Sequence, residues 1–187
     1  MWLLAVALRC AQMTWPAEPL QREWLRGLVH EVARSEGVDP LALEALGVTE
    51  TDLRPAVGAS CEVGPFQIMP RWAEVFGLDS PAQLWDPRIN AIAAARIYKA
   101  GLRRWSERFA KAAHNPVLRA AGWRGALDRE TFAAVAYNWG QAPLAFSRAS
   151  DLRAVAIPRS TAEYAVRFNR ALRGLRAGSG TPRGRSR

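Results

Sequence analysis

A mainly α fold in a single domain is predicted by three features of the chain. Apolar residues recur at three- and four-residue spacing in several separate stretches, helix-starting residues stand in front of them, and no segment alternates apolar and polar residues as a half-buried strand does. A chain of 187 residues has room for one well-packed core and is too short for two comfortable ones. Several packed helices with little or no β-sheet are therefore expected.

Between Leu20 and Glu36, Leu20, Trp24, Leu28 and Val32 recur every four positions, and Leu25 and Val29 widen the stripe to a helix face that Gly37 ends. Asp39-Pro40 then reads as an N-cap with proline at the first helical position, opening a helix from Leu41 to about Thr51. Residues 52 to 70 hold Pro55, Gly58, Gly64, Pro65 and Pro70, the composition of a structured loop. A short helix is expected from Arg71 to Phe76. Asp86-Pro87 repeats the cap-and-proline start, and Ile89, Ile92, Ala93, Ile97 and Ala100 supply the apolar face of a third long helix. The stretch from Ser106 to Leu127 is polar and broken by Asn115-Pro116, Gly122 and Gly125, so it reads as partly irregular. Phe132, Val135, Ala136 and Trp139 mark a helix that Gly140 would close in the left-handed conformation. Ser160-Thr-Ala-Glu163 reads as a capping box before a last helix carrying Tyr164, Phe168, Leu172 and Leu175. The chain divides into an N-terminal segment, 1–18, a folded domain, 19–176, and a basic tail, 177–187, whose glycine, serine, proline and arginine predict disorder.

The formal charge of +9 comes almost wholly from arginine, since Lys99 and Lys111 are the only lysines. Such a balance favours a polyanionic partner, and charge alone does not choose among nucleic acid, an acidic membrane and a cell-wall polymer. The arginines are spread along the chain and no recognition-helix motif stands out, which argues against a specific nucleic-acid binder. No apolar run approaches the ~20 residues that a membrane span needs. Trp2 to Leu8 reaches only the lower limit of a signal-peptide core and has no basic residue before it, so the signal is weak and the plainer reading is the start of a packed helix. Cys10 and Cys61 fit neither a metal pattern nor a dense disulfide framework, and two histidines, His30 and His114, are too few for a zinc hydrolase. No metal or organic cofactor is expected.

Four short segments place polar groups at predicted helix edges: Val48-Thr-Glu50-Thr51, Gly64-Pro-Phe-Gln67-Ile-Met69-Pro70, Ala136-Tyr137-Asn138-Trp139-Gly140, and Ile157-Pro158 ahead of Tyr164. In this order they resemble the successive motifs of the lytic transglycosylase module of the soluble type, lysozyme-like and related to goose-type lysozyme. The resemblance runs from about Glu31 to Phe168. Thr51 stands where that family usually has serine, Pro65 and Phe66 replace a more usual Leu-Met pair, and Ser160 lies where an acidic residue is common. The resemblance implies a single lysozyme-like domain with a cleft, acting on the glycan strands of peptidoglycan at the bacterial cell wall, in the periplasm or outside the cell. It implies Glu50 as the catalytic acid, with Thr51, Phe66, Gln67, Met69, Tyr137, Asn138 and Tyr164 at the cleft.

Chemistry constrains such a site. Cleaving a glycosidic bond requires an acid that is still protonated near neutral pH, and burial against apolar groups raises a glutamate's pKa by disfavouring its charged form. Leu46, Phe66, Met69 and Trp139 are candidate walls for that pocket, and the helix C-terminus adds a partial negative charge that also disfavours the anion. The usual glycosidase needs a second carboxylate. The resemblance implies that here one glutamate acts first as acid and then as base toward the sugar's own C6 hydroxyl, leaving a 1,6-anhydro product. Asp52 and Glu62 are the nearby acids that could instead serve a hydrolytic muramidase, and both read more simply as surface charges. Trp72, Trp85, Trp105 and Trp123 are expected to pack rather than bind sugar. A catalytically silent glycan-binding part of a phage virion or secretion apparatus is the alternative of another class, and Cys61 with His114 makes a weak cysteine-peptidase pair. The basic surface would raise residence on an anionic wall.

Overall fold

The computed structural model describes residues 22–179. The expectations for residues 1–18 and for the tail from Gly180 onward lie outside the described residues.

Helix α1 spans Arg22–Glu36 and buries Leu25, Leu28, Val29 and Val32. Trp24, placed in the stripe by its four-residue spacing, is 51% exposed. The reason is geometric: steps of four drift by about 40° each round a helix of 3.6 residues per turn, so Leu28 and Val32 reach the core face while Trp24 stands off it. Beyond the helix end, the Val38 amide donates to the Ala33 carbonyl at 2.8 Å.

Helix α2, Pro40–Thr51, begins as expected, with the Asp39 side chain accepting from the Leu41 amide. It is buried almost all round, by Ala42, Leu43, Ala45 and Leu46 among others. Glu44 is also only 4% exposed, and it is kept satisfied by Arg26 at 2.8 Å and His30 at 2.6 Å, both from α1. The helix closes on Asp52, which is left-handed and pairs with Arg22 and Arg54 at the surface.

After α3, Trp72–Val75, and a 3-10 turn over Pro81–Trp85, helix α4 runs Pro87–Arg103 from its Asp86 cap. Its buried face is Asn90, Ala91, Ala94, Tyr98 and Gly101, while Ile89, Ile92 and Ile97, expected to lead the apolar face, are half-buried. Small residues win the centre because another helix approaches closely: a Cβ at Gly101 would lie 2.9 Å from the Ala133 Cα. Ser106 to Leu127 is more ordered than its polarity suggested, with a 3-10 helix over Glu107–His114 and α5 over Pro116–Ala120. Helix α6, Arg129–Asn138, ends on Trp139, and Gly140 is not left-handed. A further helix, α7, covers Ala142–Arg148, with Pro143 in the first turn, where its missing N–H costs nothing. Helix α8, Arg159–Gly178, starts directly after Pro158 with no side-chain cap. Ser160 and Glu163 therefore lie inside it, where Glu163 pairs with Arg159 at 3.0 Å, and Ala177, assigned above to the tail, is helical.

Helix α2 packs on α1 and α8, α4 packs on α1 and α6, and α6 packs on α8. Two apolar clusters result. One gathers α1, α2, α4 and the loop residues Val63, Phe66 and Ile68; the other centres on Phe109, Phe132 and Phe146. Helices α6 and α8 contribute to both, sending Ala133 and Phe168 to the first and Val135 and Ala162 to the second. The described residues hold no strand, and only isolated antiparallel bridges link Val63 to Val57 and Ile68. The mainly helical single domain expected from periodicity is the fold observed.

Candidate active site

Glu50 sits in the last turn of α2, a helix buried on most of its surface. From α8, the Tyr164 hydroxyl donates to Glu50 Oε1 at 2.7 Å. Burial pushes the Glu50 carboxyl up to about 7; the Tyr164 hydrogen bond and the Arg167 guanidinium act in the opposite direction, and the negative charge of Glu62 adds to the rise. The Arg167 guanidinium also lies over the Tyr164 ring, 5.7 Å from its centroid.

The floor beside Glu50 is the turn from Gly64 to Gln67, and three helices hold it by its backbone. Thr51 of α2 donates its hydroxyl to the Pro65 carbonyl at 2.9 Å. Tyr137 of α6 donates to the Phe66 carbonyl at 2.7 Å. Asn90 of α4 accepts from the Phe66 amide at 3.2 Å and donates to the carbonyls of Val63 and Leu84 at 2.9 and 3.1 Å. Gly64 is required there twice over: its φ is +80°, and a Cβ would come within 2.6 Å of the Asn90 side chain. Gln67, itself left-handed at φ 49°, donates its amide to the Gly64 and Ala56 carbonyls at 2.9 and 3.3 Å, closing the turn on itself.

Above this floor opens a cavity of about 870 Å³ whose lining includes Glu50, Glu62, Gln67, Met69, Tyr137 and Asn138. Five of the eight residues singled out in the sequence thus share one cleft. The other three are placed differently. Thr51 spends its hydroxyl on the Pro65 carbonyl. The Phe66 ring is fully buried, with 0% exposure, so it presents nothing to a glycan. Tyr164 is 2% exposed and reaches Glu50 rather than the open cleft. Of the candidate pocket walls, Met69 lines the cleft, Leu46 and Phe66 lie in the core cluster, and Trp139 packs on the other cluster. Glu62 faces the cleft, and Asp52 is held at the surface by its arginines. Trp72, expected only to pack, lines the cleft; Trp123 is buried and Trp105 sits among the phenylalanines of the second cluster.

Two contributions escaped the sequence reading. Asn90 looks like a polar interruption in an alanine-rich helix, and only the fold shows it clamping the turn. Arg71, Arg103 and Arg104 also line the cleft and were indistinguishable from the many other arginines. Cys61 is disulfide-bonded, which removes the thiol that a pairing with His114 would need.

A carboxyl enclosed in this way and protonated up to neutral pH is chemically able to give a proton to a group bound in the cleft. The family model of the transglycosylase SLT domain matches residues 27–154, and the chain belongs to that family. Membership implies transglycosylase-type cleavage of peptidoglycan, outside the cytoplasm. No curated relative matches the chain. Among the described residues no helix is long and apolar enough to cross a membrane.

Proposed function

We propose that the chain is a peptidoglycan lytic transglycosylase that cleaves the β-1,4 bond between N-acetylmuramic acid and N-acetylglucosamine and leaves a 1,6-anhydro-muramic end, with Glu50 as acid and then base. The observation that carries this reading is the Glu50–Tyr164 pair, a carboxyl raised to about 7 and hydrogen-bonded at 2.7 Å beside the cleft. Protonated Glu50 gives its proton to the glycosidic oxygen as the bond to the anomeric carbon breaks and positive charge builds there. The carboxylate so formed is steadied by the Tyr164 hydroxyl and by Arg167. It then takes the proton of the C6 hydroxyl while that oxygen closes on the anomeric carbon, which returns Glu50 to its protonated state without consuming water. An intramolecular hydroxyl holds the advantage of proximity over solvent.

A second reading, hydrolysis by a muramidase of the same fold, is favoured by one observation: Glu62 faces the same cleft and acts electrostatically on Glu50. Mass spectrometry of muropeptides released from purified peptidoglycan by wild type and by Glu50→Gln separates the readings. Anhydro products from wild type and none from the variant are expected. Reducing ends heavier by one water would make the protein a hydrolase and point to Glu62, and no release by wild type would leave a silent glycan-binding module. The disulfide at Cys61 suits an oxidising compartment such as the wall space; a phage-borne or secretion-linked route of delivery fits the same chemistry.

A further inference from the structure

Many arginines among the described residues are paired with acids. Arg22, Arg26, Arg88, Arg96, Arg153, Arg159 and Arg176 each hold an acid at 3.1 Å or less. Arg71, Arg103 and Arg104 are not paired in this way, and unlike Arg34, Arg148, Arg170 and Arg173, which are not paired with an acid either, they line the cleft. All three are exposed, all three line the cleft, and none has a side-chain hydrogen bond or ion pair among the described residues. Helix electrostatics accounts for only part of this. Arg103 and Arg104 close α4, where a cation suits the helix dipole, but Arg71 stands at the N-cap of α3, where a cation opposes it. Three guanidinium groups to which no carboxylate is bonded therefore line one cavity, which Glu50 and Glu62 also line, and an anion entering the cleft beside the arginines would find donors not already engaged.

Apolar side chains line the same cavity. Trp72 and Phe76 lie with ring centroids 6.1 Å apart, and both line the cleft together with Val75, which is 67% exposed and one of few large apolar side chains left in water. This part of the lining therefore combines aromatic and apolar contacts with cationic groups, and a neutral sugar would leave the charge of the arginines unanswered. The lining is a good match for a short peptide with alanine methyls and free carboxylates, and guanidinium is the side chain suited to gripping carboxylates through paired hydrogen bonds. Peptidoglycan carries such peptides on muramic acid. Resting on the transglycosylase reading above, we propose that this part of the cleft is a stem-peptide subsite: Arg71, Arg103 and Arg104 take the peptide carboxylates, Trp72, Val75 and Phe76 take its methyl groups, and the enzyme selects peptide-bearing strands over bare glycan.

The test compares wild type with the triple variant Arg71→Gln/Arg103→Gln/Arg104→Gln on glycan strands bearing stem peptides and on the same strands stripped of peptide by an amidase. Wild type is expected to show the higher kcat/KM on peptide-bearing strands. In the triple variant the ratio between the two substrates falls by about tenfold or more, mainly through KM, as expected for losing charge-assisted contacts. Arg→Lys replacements, which keep the charge and lose the fork, restore it in part. A ratio that stays the same in the variant, or a wild type indifferent to peptide, overturns the subsite. Binding of a soluble stem tetrapeptide, against its carboxyl-amidated form, is followed by NMR at the Trp72 indole. If wild type cleaves neither strand, the catalytic reading fails and this binding decides alone: arginine-dependent preference for the free carboxylates upholds the subsite, and no preference removes it.

Discussion

Replacing Glu50 by glutamine should make the protein more stable, by an amount set by pH. The folded chain keeps the Glu50 proton up to about pH 7, whereas an ordinary glutamate releases it near 4.5. Between those values unfolding releases a proton, so this group's contribution to stability is fullest below 4.5, declines as pH rises, and is gone above 7. The gap between about 7 and 4.5, at about 1.4 kcal/mol per pH unit, amounts to about 3 kcal/mol. Glutamine has nearly the same shape, stays neutral throughout, and can still accept the Tyr164 hydrogen bond. The variant should therefore match wild type at pH 4 and exceed it by about 3 kcal/mol at pH 8, a rise in Tm of roughly 6–12 °C for a domain of this size. Urea denaturation of both proteins at several pH values reads this difference, and titrating groups that do not interact with Glu50 cancel in the subtraction. A stability difference that does not change between pH 4 and pH 8 would refute the claim that burial holds Glu50 protonated, whatever the enzyme's activity.

Other outcomes follow from the same geometry. Tyr164→Phe removes the hydrogen bond that lowers the Glu50 pKa, so the alkaline limb of the pH profile of kcat/KM should move up by about one pH unit. Asn90→Leu strips the hydrogen bonds that clamp the Gly64–Gln67 turn and should cost about 3 kcal/mol or more by urea denaturation, with activity falling even where the protein is fully folded. Gly101→Ala drives a methyl group against the Ala133 backbone at 2.9 Å and should cost about 1–3 kcal/mol in thermal denaturation.

How much of this could be read from the residues depends on how local each signal is. The starts of α2 and α4 were legible because Asp39-Pro40 and Asp86-Pro87 carry their own capping chemistry, and the caps are made as the residues suggest. The start of α8 was misread because Pro158 begins the helix without the Ser160 hydroxyl. Helix α7 was hidden by Pro143, which reads as a breaker unless its position in the first turn is known. The second apolar cluster was underrated because its anchors, Phe109, Leu118 and Trp123, are separated by alanines and polar residues and meet only through 3-10 and short α segments. In the site, Glu50, Gln67, Tyr137 and Asn138 stood out as polar groups at helix edges, and their common cleft follows from the packing of α2 and α6 about the turn. The roles of Thr51 and Phe66 were not legible: whether a side chain faces a cleft or props it up from behind depends on the turn's exact path, which Asn90 sets from a distant helix. The cationic part of the lining was equally invisible, since only folding carries Arg71 into the cavity that Arg103 and Arg104 line.

The turn that floors the cleft has a consequence for motion. A loop is ordinarily the part of a domain that opens first, because its backbone is bonded to water or to its own neighbours. Here the amide of Phe66 and the carbonyls of Val63, Pro65 and Phe66 are each bonded to a side chain from α2, α4 or α6. Freeing the turn therefore means disturbing three helices together, and its amides should exchange with solvent as slowly as those of a core helix. Give in the cleft is therefore expected on its exposed side, around Val75, Arg71, Arg103 and Arg104. Under the function proposed above, the surface beside Glu50 would stay fixed, so that a bound strand would meet the same geometry at every turnover.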